Sequence, residues 1–271
     1  SYLVKPRLFL SYPCSISAIE RRAVGEAAKY AGSRKVYLVE KPFLSALGSG
    51  LPVFDPNGCM VVDIGGGTTD VAVISLGGVV ISHSIRVGGV KMDEAIINFI
   101  KREFNILIGD RTAEEVKLDL GAALPLRDER RARIRGRDMV TNLPQTTEIT
   151  STQIYDAIHE PCLAILGAIK WVLERTPPEL AADIMHNGIY LTGGGLINMR
   201  GAREYLADKL GRGVKIPTLR AARLNNHRFA SSLGLMDQVF DAVEQQTALD
   251  EEKGSSKLDG LKNMFRKRTN D

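Results

Sequence analysis

The chain has 271 residues and a formal net charge of +4, and its composition is 44% hydrophobic and 25% charged. This length is sufficient for one large or two modest domains with a real core. The positive charge is too weak and too local for an extended nucleic-acid-binding surface, and no apolar run is long enough to span a membrane. Three scattered cysteines have no metal-ligand spacing, which indicates free thiols in a reducing compartment.

Hydrophobic periodicity predicts a mixed α/β chain. Short apolar runs rich in β-branched residues are typical of strands, and apolar residues at a spacing near 3.6 are typical of helices. In chain order, the predicted elements are strand 7–12, helix 16–31, strand 35–39, helix 42–48, strands 60–64, 71–76 and 79–86, helices 92–104 and 113–121, strands 133–138 and 145–149, helix 151–175, strand 188–192, helix 199–210, strand 214–216 and helix 229–245.

Local signals mark some of the boundaries between these elements. Gly77 and Gly78 predict a two-residue hairpin turn. Ser151 or Thr152 is expected to cap the long helix 151–175, and Pro161 is expected to kink it.

The stretch "VVDIGGGTTD" is the strongest functional signal. A buried strand ends near Asp63 and is followed by Gly65, Gly66 and Gly67, whose backbone N–H groups can approach oxygen ligands closely. The hydroxyl of Thr68 or of its neighbour can add a donor, and the carboxylate of Asp63 suits a hydrated Mg²⁺ ion. We therefore predict a phosphate clamp between two antiparallel strands. The alternative is a glycine-rich hairpin without a ligand.

A second glycine-rich stretch, "IYLTGGGLINM", also follows a strand. Gly193, Gly194 and Gly195 would let an adenine ring or a ribose lie against the backbone. This signal is weak by itself, and it becomes much stronger in combination with the first glycine-rich stretch.

Four motifs together resemble the bacterial actin family MreB, within the superfamily of actin, sugar kinases and heat-shock ATPases. They are "EKPFLSALGSG", "DIGGGTTD", "LTGGG" and "FASSLGL", and the similarity runs from about Lys5 to Leu219. The resemblance implies an actin-like α/β fold with two lobes about a nucleotide cleft. It also implies ATP or GTP, with Mg²⁺, as the ligand.

Three departures from the family pattern shape these expectations. The family's opening phosphate hairpin has no counterpart here, so we expect an N-terminally incomplete chain with a truncated first lobe. That lobe would comprise residues 1–65 and 221–245, and the second lobe residues 66–220. After Leu219 the sequence resembles the division actin FtsA more closely, and residues 246–271 are expected to form a linker and a basic tail.

The third departure concerns Glu40 and Lys41, the candidate catalytic residues. The family has glutamate directly before the proline, where this chain has Lys41 and carries Glu40 one place earlier. A lysine cannot accept a proton from water at neutral pH unless its pKa is strongly lowered, so we expect weak or absent hydrolysis. Lys41 could instead pair with phosphate oxygens. The alternative is a solvated Lys41, with Glu40 directed into the cleft.

Glu114 and Lys117 fall where the superfamily contacts the ribose of the nucleotide. Their spacing also suits an ordinary pair on a helix surface. Asp93 could be no more than a carboxylate favoured by a helix N-terminus.

The tail predicts a membrane contact. Leu258, Leu261, Met264 and Phe265 lie at helical spacing among basic residues, a pattern that suits an anionic membrane surface. The alternative is a disordered basic tail.

These features together predict a nucleotide-binding cytoskeletal filament protein involved in cell shape. Its expected partners are further copies of itself, cell-shape membrane proteins and an anionic membrane surface, but not nucleic acid. Its expected location is the cytoplasm, at the inner face of the membrane. The alternative is a non-hydrolysing actin-like scaffold, or a binding module for MreB or membrane partners.

Overall fold

The computed structural model describes residues 5–219 and 226–242. The elements in chain order are β1 (Arg7–Tyr12), α1 (Ala18–Tyr30), β2 (Lys35–Glu40), α2 (Lys41–Gly48), β3 (Cys59–Ile64), β4 (Thr69–Ser75), β5 (Gly78–Ile85), α3 (Gly89–Phe104), β6 (Ile106–Leu107), α4 (Asp110–Leu120), β7 (Arg131–Asp138), β8 (Pro144–Thr150), α5 (Ser151–Arg175), α6 (Pro178–Asn187), β9 (Ile189–Thr192), α7 (Ala202–Leu210) and β10 (Val214–Lys215). A short 3-10 turn, His227–Phe229, leads into a helix over residues 230–242, which we call the C-terminal helix.

A five-stranded sheet with the order β10-β9-β3-β4-β5 forms the centre of the fold. Strands β3, β9 and β10 run parallel, whereas β3, β4 and β5 form an antiparallel meander. Because β3 and β9 are parallel neighbours, their carboxyl ends lie at the same edge of the sheet. Both glycine-rich stretches follow these two strands, so the topology brings them together.

The two faces of β3 belong to two different hydrophobic clusters. Met60 and Val62 pack into a large cluster with α3, α4, α5 and α7, whereas Cys59 and Val61 pack into a smaller cluster with α2. This alternation follows from the two-residue period of a strand. Each fully buried aliphatic side chain contributes about 1.5–3 kcal/mol, so β3 is anchored from both sides.

Helix α2 and the C-terminal helix touch through their backbones. A Cβ atom at Gly48 would lie 2.0 Å from the carbonyl oxygen of Ala230, and one at Gly234 would lie 2.0 Å from that of Leu44. Only glycine permits this contact, which fixes the C-terminal helix beside α2. A parallel pair of strands, β1 and β2, lies next to α2.

Some boundaries differ from those that the sequence predicts. The β4–β5 turn uses Leu76 and Gly77, both with positive φ, rather than the two glycines. Thr150 caps α5 through a capping box, in place of either residue that follows it. The helix also continues through Pro161 as one element. The helix α6 (Pro178–Asn187) is absent from the sequence-based prediction.

The predicted α/β class is confirmed. The predicted lobe boundary after residue 65 remains a prediction, and the strands on its two sides, β3 and β4, pair within one sheet. No helix in the described ranges is both long and apolar enough to cross a membrane. The predicted tail and its membrane contacts Leu258, Leu261, Met264 and Phe265 lie outside the described residues.

Candidate functional site

The two glycine-rich stretches meet at the edge of the central sheet. We call residues 65–67, after β3, the first glycine loop, and residues 193–195, after β9, the second glycine loop. In the parallel register, Asp63 lies beside Thr192, and the amide of Gly195 donates a hydrogen bond of 2.8 Å to the carbonyl oxygen of Ile64. Both loops line one cavity of about 440 Å³, which we call the cleft.

The second glycine loop packs directly on the end of β3. A Cβ atom at Gly193, where φ is +92°, would lie 2.3 Å from the carbonyl oxygen of Ile64. A Cβ atom at Gly195 would lie 2.2 Å from that of Gly65. These two glycines are therefore required by backbone contact within the protein, whether or not a ribose or adenine ring also lies there.

The first glycine loop is open on its outer side. A Cβ atom at Gly66 would have its nearest contact at 4.0 Å, and one at Gly67 would have no neighbour within 4 Å. Neither glycine has a positive φ, so backbone strain does not require glycine here. Two small residues at this place leave room for a ligand to approach the backbone closely.

Helix α3 determines how the first glycine loop is oriented. The amides of Gly89 and Val90 donate to the carbonyl oxygens of Gly65 and Gly66, at 3.0 and 2.9 Å. These carbonyls are therefore held against the helix start. Within residues 5–219 and 226–242, the amides of Gly66 and Gly67 donate to no protein group. Successive unpaired amides in a turn form an anion-binding concavity.

Lys41 lies beneath the first glycine loop, between two buried carboxylates. Its Nζ atom is 3.3 Å from Asp63 Oδ1 and 3.3 Å from Asp70 Oδ2. Asp63 and Asp70 are 3% and 0% exposed, and the hydroxyl of Ser45 donates to the other oxygen of Asp63. Burial lowers the pKa of Lys41, but the two carboxylates outweigh burial and raise it above its ordinary value. Lys41 is therefore charged at neutral pH and cannot act as a base.

A second buried lysine supports the start of α3. Lys117 is 8% exposed, and its Nζ atom lies 3.0 Å from the carbonyl oxygen of Gly89 and 2.8 Å from the carboxylate of Asp93. Burial raises the pKa of Asp93, and Lys117 opposes that rise. Lys117 therefore pairs across two helices rather than with Glu114 on its own helix, so the surface-pair interpretation is wrong for Lys117.

Most of the predicted site residues share the cleft. Those that line it are Lys41, Asp63, Gly65, Gly66, Glu114, Lys117, Gly193, Gly194 and Gly195. The other three predicted catalytic or nucleotide-binding residues are outside this lining. Thr68 donates to Asp70 at 3.2 Å, Gly67 completes the turn, and Glu40 ends β2 as the N-cap of α2.

Sequence reasoning assigned no role to several residues of the site. Gly89, Val90, Arg228 and Ser231 line the cleft, and Asp70 holds Lys41. The sequence feature that could have identified Asp70 is its place at the end of the "DIGGGTTD" motif. Arg228 and Ser231 lie in or beside the "FASSLGL" motif, whose helix contacts α2 through Gly48 and Gly234.

Comparison with known proteins identifies relatives over most of the chain. The family model "MreB/Mbl protein" matches residues 1–222. The chain is 44% identical over 246 residues to the cell shape-determining protein Mbl of Bacillus cereus, covering 91% of this chain and 72% of the relative. It is 46% identical over 206 residues to MreB of Escherichia coli, covering 76% and 59%. The chain thus spans between 59% and 72% of the length of these two relatives.

Solved structures agree with this result. MreB5 of Spiroplasma citri bound to ADP matches with a TM-score of 0.80 at 35% identity, over 89% of this chain and 70% of that one. The same protein bound to AMPPNP gives 0.79. The MamK double helical filament gives 0.66 at 20% identity, over 87% and 69%, and supports the fold alone. The predicted actin-like fold is confirmed, and this chain belongs to the MreB/Mbl family.

Proposed function

We propose that this chain is a nucleotide-binding subunit of an actin-like filament that takes part in determining cell shape. Its relatives Mbl and MreB are cell shape-determining proteins. In the proposed role, its partners are further copies of itself, cell-shape membrane proteins and an anionic membrane surface. It would act in the cytoplasm, at the inner face of the membrane.

One observation carries the nucleotide part of the proposal. The amides of Gly66 and Gly67 are without a partner among the described residues, and Gly66 lies in the wall of the cleft. The phosphates would bind these amides, and the nucleoside would extend toward Glu114, Lys117 and the second glycine loop. We propose ATP rather than GTP, because the related MreB5 was crystallised with adenine nucleotides.

Asp63 does not fit the role of Mg²⁺ ligand that the sequence suggests. Its Oδ1 atom faces Lys41, and its Oδ2 atom accepts from Ser45. Because both oxygens of Asp63 already have partners within the protein, we propose no metal role for it.

The position of Lys41 favours a second candidate function, a scaffold that binds nucleotide without appreciable hydrolysis. A charged lysine beside the first glycine loop can hold a phosphate but cannot activate water. Losing a group that deprotonates the attacking water costs about 10²–10⁴-fold in rate. Under this candidate, Lys41→Glu recovers part of the turnover and Glu40→Ala changes little. The reverse pattern would assign the catalytic place to Glu40.

Calorimetric titration with ATP tests the nucleotide proposal. Gly66→Leu places a side chain in the cleft, and its Cβ atom fits without a clash because the nearest atom is 4.0 Å away. We expect at least about 100-fold weaker binding, equivalent to about 2.7 kcal/mol.

The matched control is Gly167→Leu, on an exposed position of α5 where a Cβ atom has no neighbour within 4 Å. This control should bind ATP like the wild type. Equal affinity of the Gly66→Leu and wild-type proteins would refute the site.

Electron microscopy of the protein with ATP tests the filament proposal separately. If no filaments form, the result counts against self-assembly but not against nucleotide binding.

A further inference from the structure

The cluster of Lys41, Asp63 and Asp70 determines which form of the nucleotide the cleft can accept. We infer that the Lys41 ammonium takes the place of a divalent cation between the two carboxylates, so that this chain binds a metal-free nucleoside triphosphate. The inference rests on the proposed nucleotide site and specifies the form of the nucleotide that this site accepts.

The carboxylate oxygens of the cluster are nearly all engaged. Lys41 takes one oxygen of Asp63 and one of Asp70, and Ser45 takes the other oxygen of Asp63. Thr68 shares the Asp70 oxygen that faces Lys41, at 3.2 Å. The remaining oxygen, Asp70 Oδ1, is buried and finds no partner among the described residues. Because Asp70 Oδ1 is buried, a metal-bound water would have to compete with Lys41 or Ser45 for the other carboxylate oxygens of the cluster.

The ammonium group also points where phosphate would be. A Cβ atom at Gly65 would lie 3.4 Å from Lys41 Nζ, so the charge lies directly under the first glycine loop. The Lys41 side chain is 22% exposed and lines the cleft. A lysine ammonium has three N–H donors, and the two aspartates use two of them. The third is available for a phosphate oxygen.

Charge arithmetic supports the same conclusion. Two carboxylates and one ammonium give the cluster a net charge of −1. With a glutamate at position 41, three carboxylates would carry −3, and a dication would be needed to return to −1. Mg²⁺ needs near-octahedral oxygen ligands at about 2.0–2.1 Å, and chelators remove it. The positive charge of Lys41 is covalently part of the chain, so a chelator cannot remove it.

The test compares ATP binding by the full chain in Mg²⁺-free buffer with EDTA and in buffer with excess Mg²⁺. For the wild type, we expect the two dissociation constants to agree within about threefold, a difference below 1 kcal/mol. Lys41→Glu should reverse this behaviour and bind ATP at least about tenfold more weakly in EDTA than in Mg²⁺. Titration with Mg²⁺ alone should give binding heat for Lys41→Glu and none for the wild type.

Two further variants keep the test decisive if Lys41→Glu fails to fold. Lys41→Met removes the ammonium and should weaken binding in EDTA, whereas Lys101→Met removes an exposed charge in the last turn of α3 and should leave the ratio unchanged. Wild-type binding that is lost in EDTA overturns the inference but leaves the nucleotide site standing. If ATP binds in neither buffer, the proposed nucleotide function fails and the inference fails with it.

Discussion

The two glycine loops have the same three residues but need them for different reasons. In the second loop, Gly193 and Gly195 touch the backbone at the end of β3, and any side chain would collide with it. In the first loop, Gly66 and Gly67 have open space around them, and their amides have no partner among the described residues. A glycine triplet can therefore be required by internal packing in one loop and leave room for a ligand in its neighbour. Sequence alone does not separate the two cases.

The largest expected effect comes from adding one methyl group to the second loop. Gly195→Ala would place Cβ 2.2 Å from the carbonyl oxygen of Gly65, so β3 and β9 would have to separate at this edge. We expect a loss of more than about 4 kcal/mol in the free energy of unfolding, measured by urea denaturation. Gly67→Ala should be neutral or stabilising by up to about 1 kcal/mol, because its φ is not positive and the added Cβ atom would have no neighbour within 4 Å. Similar losses for both variants would remove the distinction between the loops.

A smaller effect is expected where α3 supports the first loop. Lys117→Met removes the bond to the Gly89 carbonyl and leaves the largely buried carboxylate of Asp93 without its ion pair. Breaking such a pair costs about 3–5 kcal/mol when fully buried, and the partial exposure of Asp93 reduces the expectation to about 2–3 kcal/mol. Thermal unfolding checks this value. The double variant Lys117→Met, Asp93→Asn should regain part of the loss, and no recovery would show that the ion pair is not the cause.

The smallest effect is the pH dependence of stability that we expect from His227, a residue beside the cleft. Burial lowers the pKa of His227, whose Nδ1 atom is buried without a partner in the described region, next to Arg228 at the cleft. Because the folded pKa lies below the unfolded value of about 6.5, the contribution of His227 to stability is complete above that pH and is lost as pH falls toward the folded pKa. Urea denaturation at pH 7.5 and 5.5 should therefore show a smaller difference for His227→Gln than for the wild type. An unchanged difference would contradict this assignment.

The sequence predicted the elements that its periodicity defines and the motifs that the topology brings to the cleft. It could not choose the cap of α5, because residues 150–152 all carry hydroxyls and only the folded backbone shows that Thr150 is the extended one. It missed α6, whose two prolines at the start resemble a loop although proline is favoured in a first helical turn.

Long-range partners were also beyond the sequence. Lys41 and Asp70 are 29 positions apart, and Lys117 and Asp93 are 24 positions apart. Neither pairing leaves a local pattern in the chain. The roles of these two lysines follow only from the packing of α2 and α4 against the first glycine loop and α3.

The response of the glycine amides to ATP tests the phosphate site most directly. Amide NMR shifts of protein labelled with ¹⁵N-glycine would be followed during titration. We predict that Gly66 and Gly67 shift most, because their N–H groups have no acceptor within the described part of the chain. Gly195 should shift less, because its amide is bonded to Ile64. Shifts confined to other glycines, with Gly66 and Gly67 unchanged at saturation, would contradict the assignment of the first glycine loop as the phosphate site.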